Sequence, residues 1–313
     1  MHGSFPSHRL VGKHSLMNFR FLTALLYIGA LYAVTCIGQN SQVQQSVLNT
    51  AINQALDDAS LPTSIAVLAY SDSTRLVVEK SWDLDPSKQQ VQPGSTVKPL
   101  LAYLAAERGS ITPHDTLSCT GSYSANQRCF AVHGAVTLTK ALANSCNAYF
   151  FELNDRMGLK YVAQGFQRFG LPKPDPSDPM SAADSAAYCF GHSGMYCSTA
   201  QLCTMYATLL DSLLVSNNNA NAGVRQQILR GMRNTVSADF GSAPQARSTV
   251  AIAGKTGTAE GARTSVATSS CWFVGYAPAE KPEYIVSVMV LGGESGGKDA
   301  APLAKRVIEA LLR

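Results

Sequence analysis

Three short groups of polar residues stand at domain-scale spacing in this chain: Ser95-Thr96-Val97-Lys98, Ser145-Cys146-Asn147 and Lys255-Thr256-Gly257-Thr258. Ser145 follows Ser95 by 50 residues, and Lys255 follows Ser145 by 110. A serine hydroxyl is a poor nucleophile until a neighbouring base takes its proton. Residues i and i+3 are neighbours on a helix, so a helix opening at Ser95 sets Lys98 one turn later on the same face. Gly94 lets the chain turn sharply into that helix, and Pro99 is tolerated there because it falls near the first turn. The helix N-terminus adds free N–H groups and a positive dipole end where an oxyanion would form. Lys98 must be neutral to act as base, which burial and a second cation, Lys255, would favour. Taken alone, the motif describes a surface Ser and Lys on an ordinary helix equally well.

Ser145 and Asn147 read as a loop between helices, with alternate side chains facing a cleft and Cys146 turned away. Ser145 could pass a proton to a leaving amine and return it from an incoming nucleophile, while Asn147 could hold Lys98 and a substrate amide. The same residues also suit an N-cap for a helix over Ala148–Met157. Lys255 follows the β-prone run Ser248–Ala253 and is expected on a strand. Gly257 has no Cβ, which admits a second backbone at close range, as peptide addition to a strand edge requires. The plainer reading of this third motif is a strand end with a glycine turn.

The wider wording is Pro93-Gly94-Ser95-Thr96-Val97-Lys98-Pro99, Ser145-Cys146-Asn147-Ala148-Tyr149-Phe150, Gly254-Lys255-Thr256-Gly257-Thr258-Ala259 and Trp272-Phe273-Val274-Gly275-Tyr276-Ala277-Pro278. Together these segments resemble the transpeptidase domain of a penicillin-binding protein, class B-like and stand-alone, in the superfamily shared with the serine β-lactamases. The resemblance runs from about Val47 to Arg313. It implies Ser95 as nucleophile, with Lys98, Ser145, Asn147 and Lys255 as the other catalytic residues. It also implies that Lys255, Thr256 and Thr258 bind a terminal carboxylate beside Gly257, and that the backbone N–H groups of Ser95 and Thr258 form the oxyanion hole. The implied reaction is D,D-transpeptidation or D,D-carboxypeptidation of peptidoglycan stem peptides ending in D-alanyl-D-alanine. It passes through an acyl-serine that β-lactam antibiotics mimic, and needs no cofactor.

A serine β-lactamase, a non-catalytic β-lactam sensor and a scaffold are the alternatives. One β-lactamase class deacylates with a glutamate in a Glu-x-x-Leu-Asn segment. Glu152-Leu153-Asn154 lacks the two intervening positions and begins 5 residues after Asn147, inside an apolar-periodic helix. Another class usually has Val where this chain has Asn147. Asn147 therefore favours the penicillin-binding side.

The elements that must position these residues follow from periodicity. The pattern predicts a helix at about 42–58, strands near 63–70 and 75–82, and a mainly helical stretch from Ser95 to about 235. Strands follow near 248–258, 269–277 and 283–292, and a helix closes the chain at about 300–312. Early strands completed by late ones indicate an α+β fold. Its mainly antiparallel sheet would be covered by terminal helices, with an inserted all-helical region facing the cleft, as in the penicillin-binding/β-lactamase-like fold.

Composition bounds the rest. The 313 residues are 46% hydrophobic, enough for a sizeable core. The net charge of +4 includes Arg9, Lys13 and Arg20 in the acid-free first 40 residues, leaving +1 for the remainder. That argues against nucleic acid as a partner. Phe21–Gly38 carries no charge and follows those three cations, which fits an export signal or an anchor in the cytoplasmic membrane through residues 21–38. Residues 1–40 are therefore expected to be an export segment and 41–313 the transpeptidase domain, on the periplasmic or extracytoplasmic side of the membrane or secreted to the periplasm. With about 56 residues between that segment and Ser95, no pedestal or glycosyltransferase module is expected. Eight cysteines in an exported chain invite disulfides. Local Cys119–Cys129 and Cys189–Cys197 pairs are the simplest expectation, with Cys146 and Cys203 as buried thiols. The six histidines show no metal-ligand spacing, His133 and His192 read as loop residues, and no metal is expected.

Overall fold

Ile65 and Val67 belong to one hydrophobic core and Ala66 and Leu68 to another. Successive residues of a strand face opposite sides, so this strand must be sandwiched between two apolar layers. The structure, a computed structural model, describes residues 42–85, 89–124, 127–174, 182–192, 194–214, 221–259 and 269–313. The expected export segment lies outside the described residues. Among the described residues, no helix is long and apolar enough to cross a membrane.

The central strands are β1 (Thr63–Ala69), β2 (Val77–Trp82), β7 (Ala253–Ala259), β8 (Ser270–Ala277) and β9 (Tyr284–Leu291). They form one sheet in the order β2-β1-β9-β8-β7, antiparallel throughout. The chain thus starts the sheet early, leaves it, and completes it late. Every residue of β1 and β8 is buried. On one face, Ile65, Val67, Phe273, Val286 and Val288 pack with Leu48 and Ile52 of the helix over 42–56 (α1) and with Val307 and Ile308 of α9 (Ala301–Leu311). Val47–Arg313 forms a compact unit of its own.

The other face meets the segment inserted between β2 and β7. It holds α2 (Lys98–Arg108), α3 (Leu138–Ala143), α4 (Asn147–Met157), α5 (Leu159–Arg168), α6 (Ala182–Cys189), α7 (Thr199–Leu214) and α8 (Ala222–Ser237). Leu100, Leu104, Phe150, Leu153, Leu202 and Tyr206 join Trp272, Val274, Tyr276 and Met289 in this core. The α+β expectation agrees with the observed architecture.

The inserted region is not all helical. Among the described residues, four short strands interrupt it: β3 (Thr116–Cys119) pairs with β6 (Gly134–Thr137), and β4 (Ser122–Ser124) with β5 (Gln127–Arg128). The expected strand from residue 248 also starts late, at Ala253. The Ser248 hydroxyl donates to the Glu309 carboxylate, and the preceding 3-10 turn Pro244–Ala246 has only just ended.

Candidate active site

Ser95 sits in a 3-10 turn, Gly94–Val97, that runs directly into α2 at Lys98, with Pro99 in the first turn. The turn is fixed from several directions. The Thr96 hydroxyl donates to Pro93 O at 2.9 Å, and the Tyr206 hydroxyl donates to Thr96 O at 2.8 Å. The Trp272 indole N–H and the Ser270 hydroxyl both donate to Gln92 O, at 2.8 and 2.9 Å. Gly94 has φ +56°, a left-handed conformation that glycine adopts without penalty.

Gly257 on β7 faces this turn. A Cβ there would lie 2.4 Å from Pro93 O and 2.9 Å from Thr96 Cγ2. A backbone does lie close to Gly257, and it is that of the protein's own nucleophile turn. Gly257 lets the strand carrying Lys255 lie against the turn carrying Ser95.

Between α3 and α4, Ser145 adopts φ +58°, unusual for a residue with a side chain. Asn147 is the first residue of α4, and Cys146 occupies the N-cap position without a side-chain cap bond. The helix-cap reading of Ser145 and Asn147 is thereby corrected. The Asn147 amide oxygen is instead engaged by Lys98.

The Lys98 ammonium donates to Asn147 Oδ1 at 2.5 Å, Ser145 O at 3.0 Å and Ser145 Oγ at 3.3 Å. Lys255 donates to the same Ser145 Oγ at 2.9 Å and to Thr256 O at 3.0 Å. Both lysines are fully buried. Burial lowers the pKa of Lys98 to about 7, against a smaller upward pull from Cys146 and Cys129. Lys255 is held well below the ordinary lysine value, first by burial and then by the Lys98 charge. Desolvation thus accounts for the lowered pKa of Lys98, while mutual repulsion is felt at Lys255.

A cleft of about 670 Å³ opens over this arrangement. Ser95, Ser145, Asn147, Thr256 and Thr258 line it, and Ser95 is 8% exposed. All three motifs therefore converge on one cavity. The Thr256 hydroxyl shares a 2.7 Å hydrogen bond with the Ser242 hydroxyl, and Thr258 Oγ1 accepts from Gly296 N at 3.3 Å. His192 also lines the cleft, and burial followed by the Lys98 charge lowers its pKa to about 4, leaving the imidazole neutral. Sequence reasoning assigns no site role to His192 or Ser242. The only signal for either is a turn-prone setting, Gly191-His192 in one case and Gly241-Ser242 in the other.

Glu152 points away from this chemistry. Its carboxylate pairs with Arg156 one turn along α4 at 3.2 Å and is half exposed.

A family model described as "Penicillin binding protein transpeptidase domain" matches residues 50–309. The peptidoglycan D,D-transpeptidase MrdA of Haemophilus influenzae is 24% identical over 287 residues, covering 70% of this chain and 44% of its own length. The peptidoglycan D,D-transpeptidase PbpA of Mycobacterium tuberculosis is 28% identical over 271 residues, covering 71% and 55%. The chain thus spans about half the length of the curated relatives it matches. Among solved structures, Pseudomonas aeruginosa PBP2 in complex with WCK 5153 superposes with a TM-score of 0.71 at 24% identity, covering 85% of this chain and 76% of the other. The apo transpeptidase domain of Burkholderia pseudomallei penicillin-binding protein 3 gives 0.70 at 19% identity, covering 86% and 93%.

Proposed function

The chain belongs to the penicillin-binding protein transpeptidase domain family, and from that premise we propose that it is a serine D,D-transpeptidase or D,D-carboxypeptidase. Its substrates are peptidoglycan stem peptides ending in D-alanyl-D-alanine, and β-lactams acylate the same serine. One observation carries the reading. A buried lysine with its pKa brought to about 7, Lys98, is bonded to Ser145 and Asn147 in the cleft that Ser95 lines.

In the proposed sequence, neutral Lys98 takes the Ser95 proton as Oγ attacks the carbonyl of the penultimate D-alanine. The backbone N–H groups of Ser95 and Thr258 hold the resulting oxyanion. Collapse expels D-alanine, whose amine receives a proton through Ser145, and leaves an ester on Ser95. An acceptor amine then takes the acyl group, or water does in carboxypeptidation, returning its proton along the same path. Strand β7 lies at the edge of the sheet, so an extended peptide can align along it.

In this proposal the two lysines take different roles. Two buried ammonium groups sharing one serine hydroxyl repel each other and are poorly solvated. A substrate carboxylate bound by Lys255, Thr256 and Thr258 stabilises positive charge on Lys255 and leaves Lys98 the proton-free partner. We further place residues 41–313 outside the cytoplasmic membrane, with residues 1–40 as signal or anchor, because peptidoglycan is the substrate and residues 21–38 carry no charge.

The test is D-alanine release from a D-alanyl-D-alanine peptide. The wild-type chain should release it and Ser95→Ala should not; equal release by both would overturn the proposal.

A further inference from the structure

Ser242 belongs to none of the three motifs, yet its hydroxyl lies 2.7 Å from that of Thr256, and both residues line the cleft with Ser95. We propose that Ser242 is a specificity-determining residue: with Thr256 it forms a two-hydroxyl donor array that binds the terminal carboxylate of the substrate. This role rests on the transpeptidase reading and adds a residue to its carboxylate site.

A hydroxyl has one hydrogen to donate and lone pairs with which to accept. One hydrogen lies between Ser242 Oγ and Thr256 Oγ1, whichever of them donates it. Thr256 Oγ1 has one further partner among the described residues, the Lys255 ammonium at 3.5 Å, and an ammonium is a donor only. The second hydrogen of the pair therefore has no acceptor among the described residues. The same contact sets the direction. Lys255 donates to Thr256, Thr256 donates to Ser242, and the free hydrogen falls to Ser242 at the end of the chain. Successive donation polarises each bond in turn.

The ligand that suits this arrangement is an acceptor with no hydrogen of its own. A carboxylate is such a group, and its charge is also met by the buried Lys255. No aspartate or glutamate is among the described residues that line the cleft, so no carboxylate of the protein takes that place. Arg128, which does line it, is a cation.

Backbone contacts, not the hydroxyl, hold Ser242 in place. Its N–H donates to Ala143 O at the end of α3 at 3.0 Å, and the N–H of Ala243 donates to Thr235 O in α8 at 2.8 Å. A Cβ at Gly241 would lie 2.4 Å from Asn234 O and 2.5 Å from Thr235 O, and one at Gly297 would lie 2.1 Å from Ser242 O. Ser242 is thus fixed by backbone from α8, from α3 and from Gly297. A donor set in position before the ligand arrives loses little freedom on binding. The hydroxyl can also be removed without releasing the backbone around it.

The experiment measures acylation of the full chain by a fluorescent penicillin over a range of concentrations, which separates half-saturation from the maximal rate. Ser242→Ala should raise the half-saturating concentration about 10–100-fold, the loss expected for one hydrogen bond to a charged group, and leave the maximal rate within a few-fold. For the same penicillin with its carboxylate esterified, the change should be at most a few-fold. Ser242→Thr keeps the hydroxyl and should saturate like the wild type. Ser242→Cys is close in size and a much weaker donor; it should repeat the alanine pattern, and it stands in if the alanine variant does not fold. Half-saturation unchanged on loss of the hydroxyl, or raised equally for penicillin and ester, would overturn the proposal, the second result marking a purely structural role. A wild-type chain that penicillin does not acylate would overturn the transpeptidase reading and this role together, an outcome distinct from acylation that is indifferent to Ser242.

Discussion

Replacing Gly257 by alanine tests whether the nucleophile turn and β7 are held at one required separation. The added Cβ would sit 2.4 Å from Pro93 O, 2.9 Å from Thr96 Cγ2 and 3.2 Å from Trp272 Cβ. Ordinary contact begins near 3.4 Å, and the nearest obstacle is backbone, which has no rotamer to change. Strand and turn must therefore part by about 1 Å, a displacement that costs about 10²-fold in rate when it separates reacting groups. The parting moves the Thr258 N–H away from Ser95, and with it one side of the proposed oxyanion hole. Overpacking of this kind also costs about 1–3 kcal/mol of stability. The assay is the second-order rate of acylation by a fluorescent penicillin, read beside the melting temperature. Gly170→Ala is the control: Gly170 has φ +81°, and a Cβ added there would meet nothing within 4 Å. It should lose about 1–2 kcal/mol of stability through backbone strain and acylate normally. Acylation by Gly257→Ala within a few-fold of wild type would refute the reasoning.

Lys98→Ala should slow acylation by about 10²–10⁴-fold, the usual loss on removing a general base. Because Lys98 acts as a base and its pKa is about 7, wild-type acylation should rise as pH increases through about 7 and then level off; a rate that falls with rising pH through that window would contradict the assignment. Lys255→Ala should chiefly weaken saturation by carboxylate-bearing substrates, seen as a loss for penicillins that is much smaller for an analogue with its carboxylate esterified. Trp272→Phe removes the indole N–H bonded to Gln92 O at 2.8 Å. A buried carbonyl losing a donor should cost about 1–3 kcal/mol in urea titration, and a null effect would mean that the Ser270 hydroxyl satisfies Gln92 alone.

Much of the fold could be read from local pattern, and the exceptions have physical causes. Strands β8 and β9 are continuous apolar runs bounded by turn residues, so their limits fall within a residue or two of those expected. Ser248–Ile252 has the same β-prone composition but pairs with no strand among the described residues, because pairing depends on what lies alongside. Strands β3 to β6 are two to four residues long and mostly polar, giving periodicity nothing to work on. At the site, residue type and order pointed to Ser95, Lys98, Ser145, Asn147 and Lys255. The meeting of both lysines on Ser145 Oγ is tertiary, as is the packing of Gly257 against the protein's own nucleophile turn.

The most direct measurement of the central claim is mass mapping of the chain after brief exposure to penicillin. The account predicts one penicilloyl group per chain, on Ser95, persisting long after free drug is removed, and no adduct on Ser95→Ala. The half-exposed Glu152, already paired with Arg156, offers no base to hydrolyse that ester. An adduct on another residue, no adduct at all, or rapid penicillin turnover by the wild-type chain would contradict it, the last making the chain a β-lactamase.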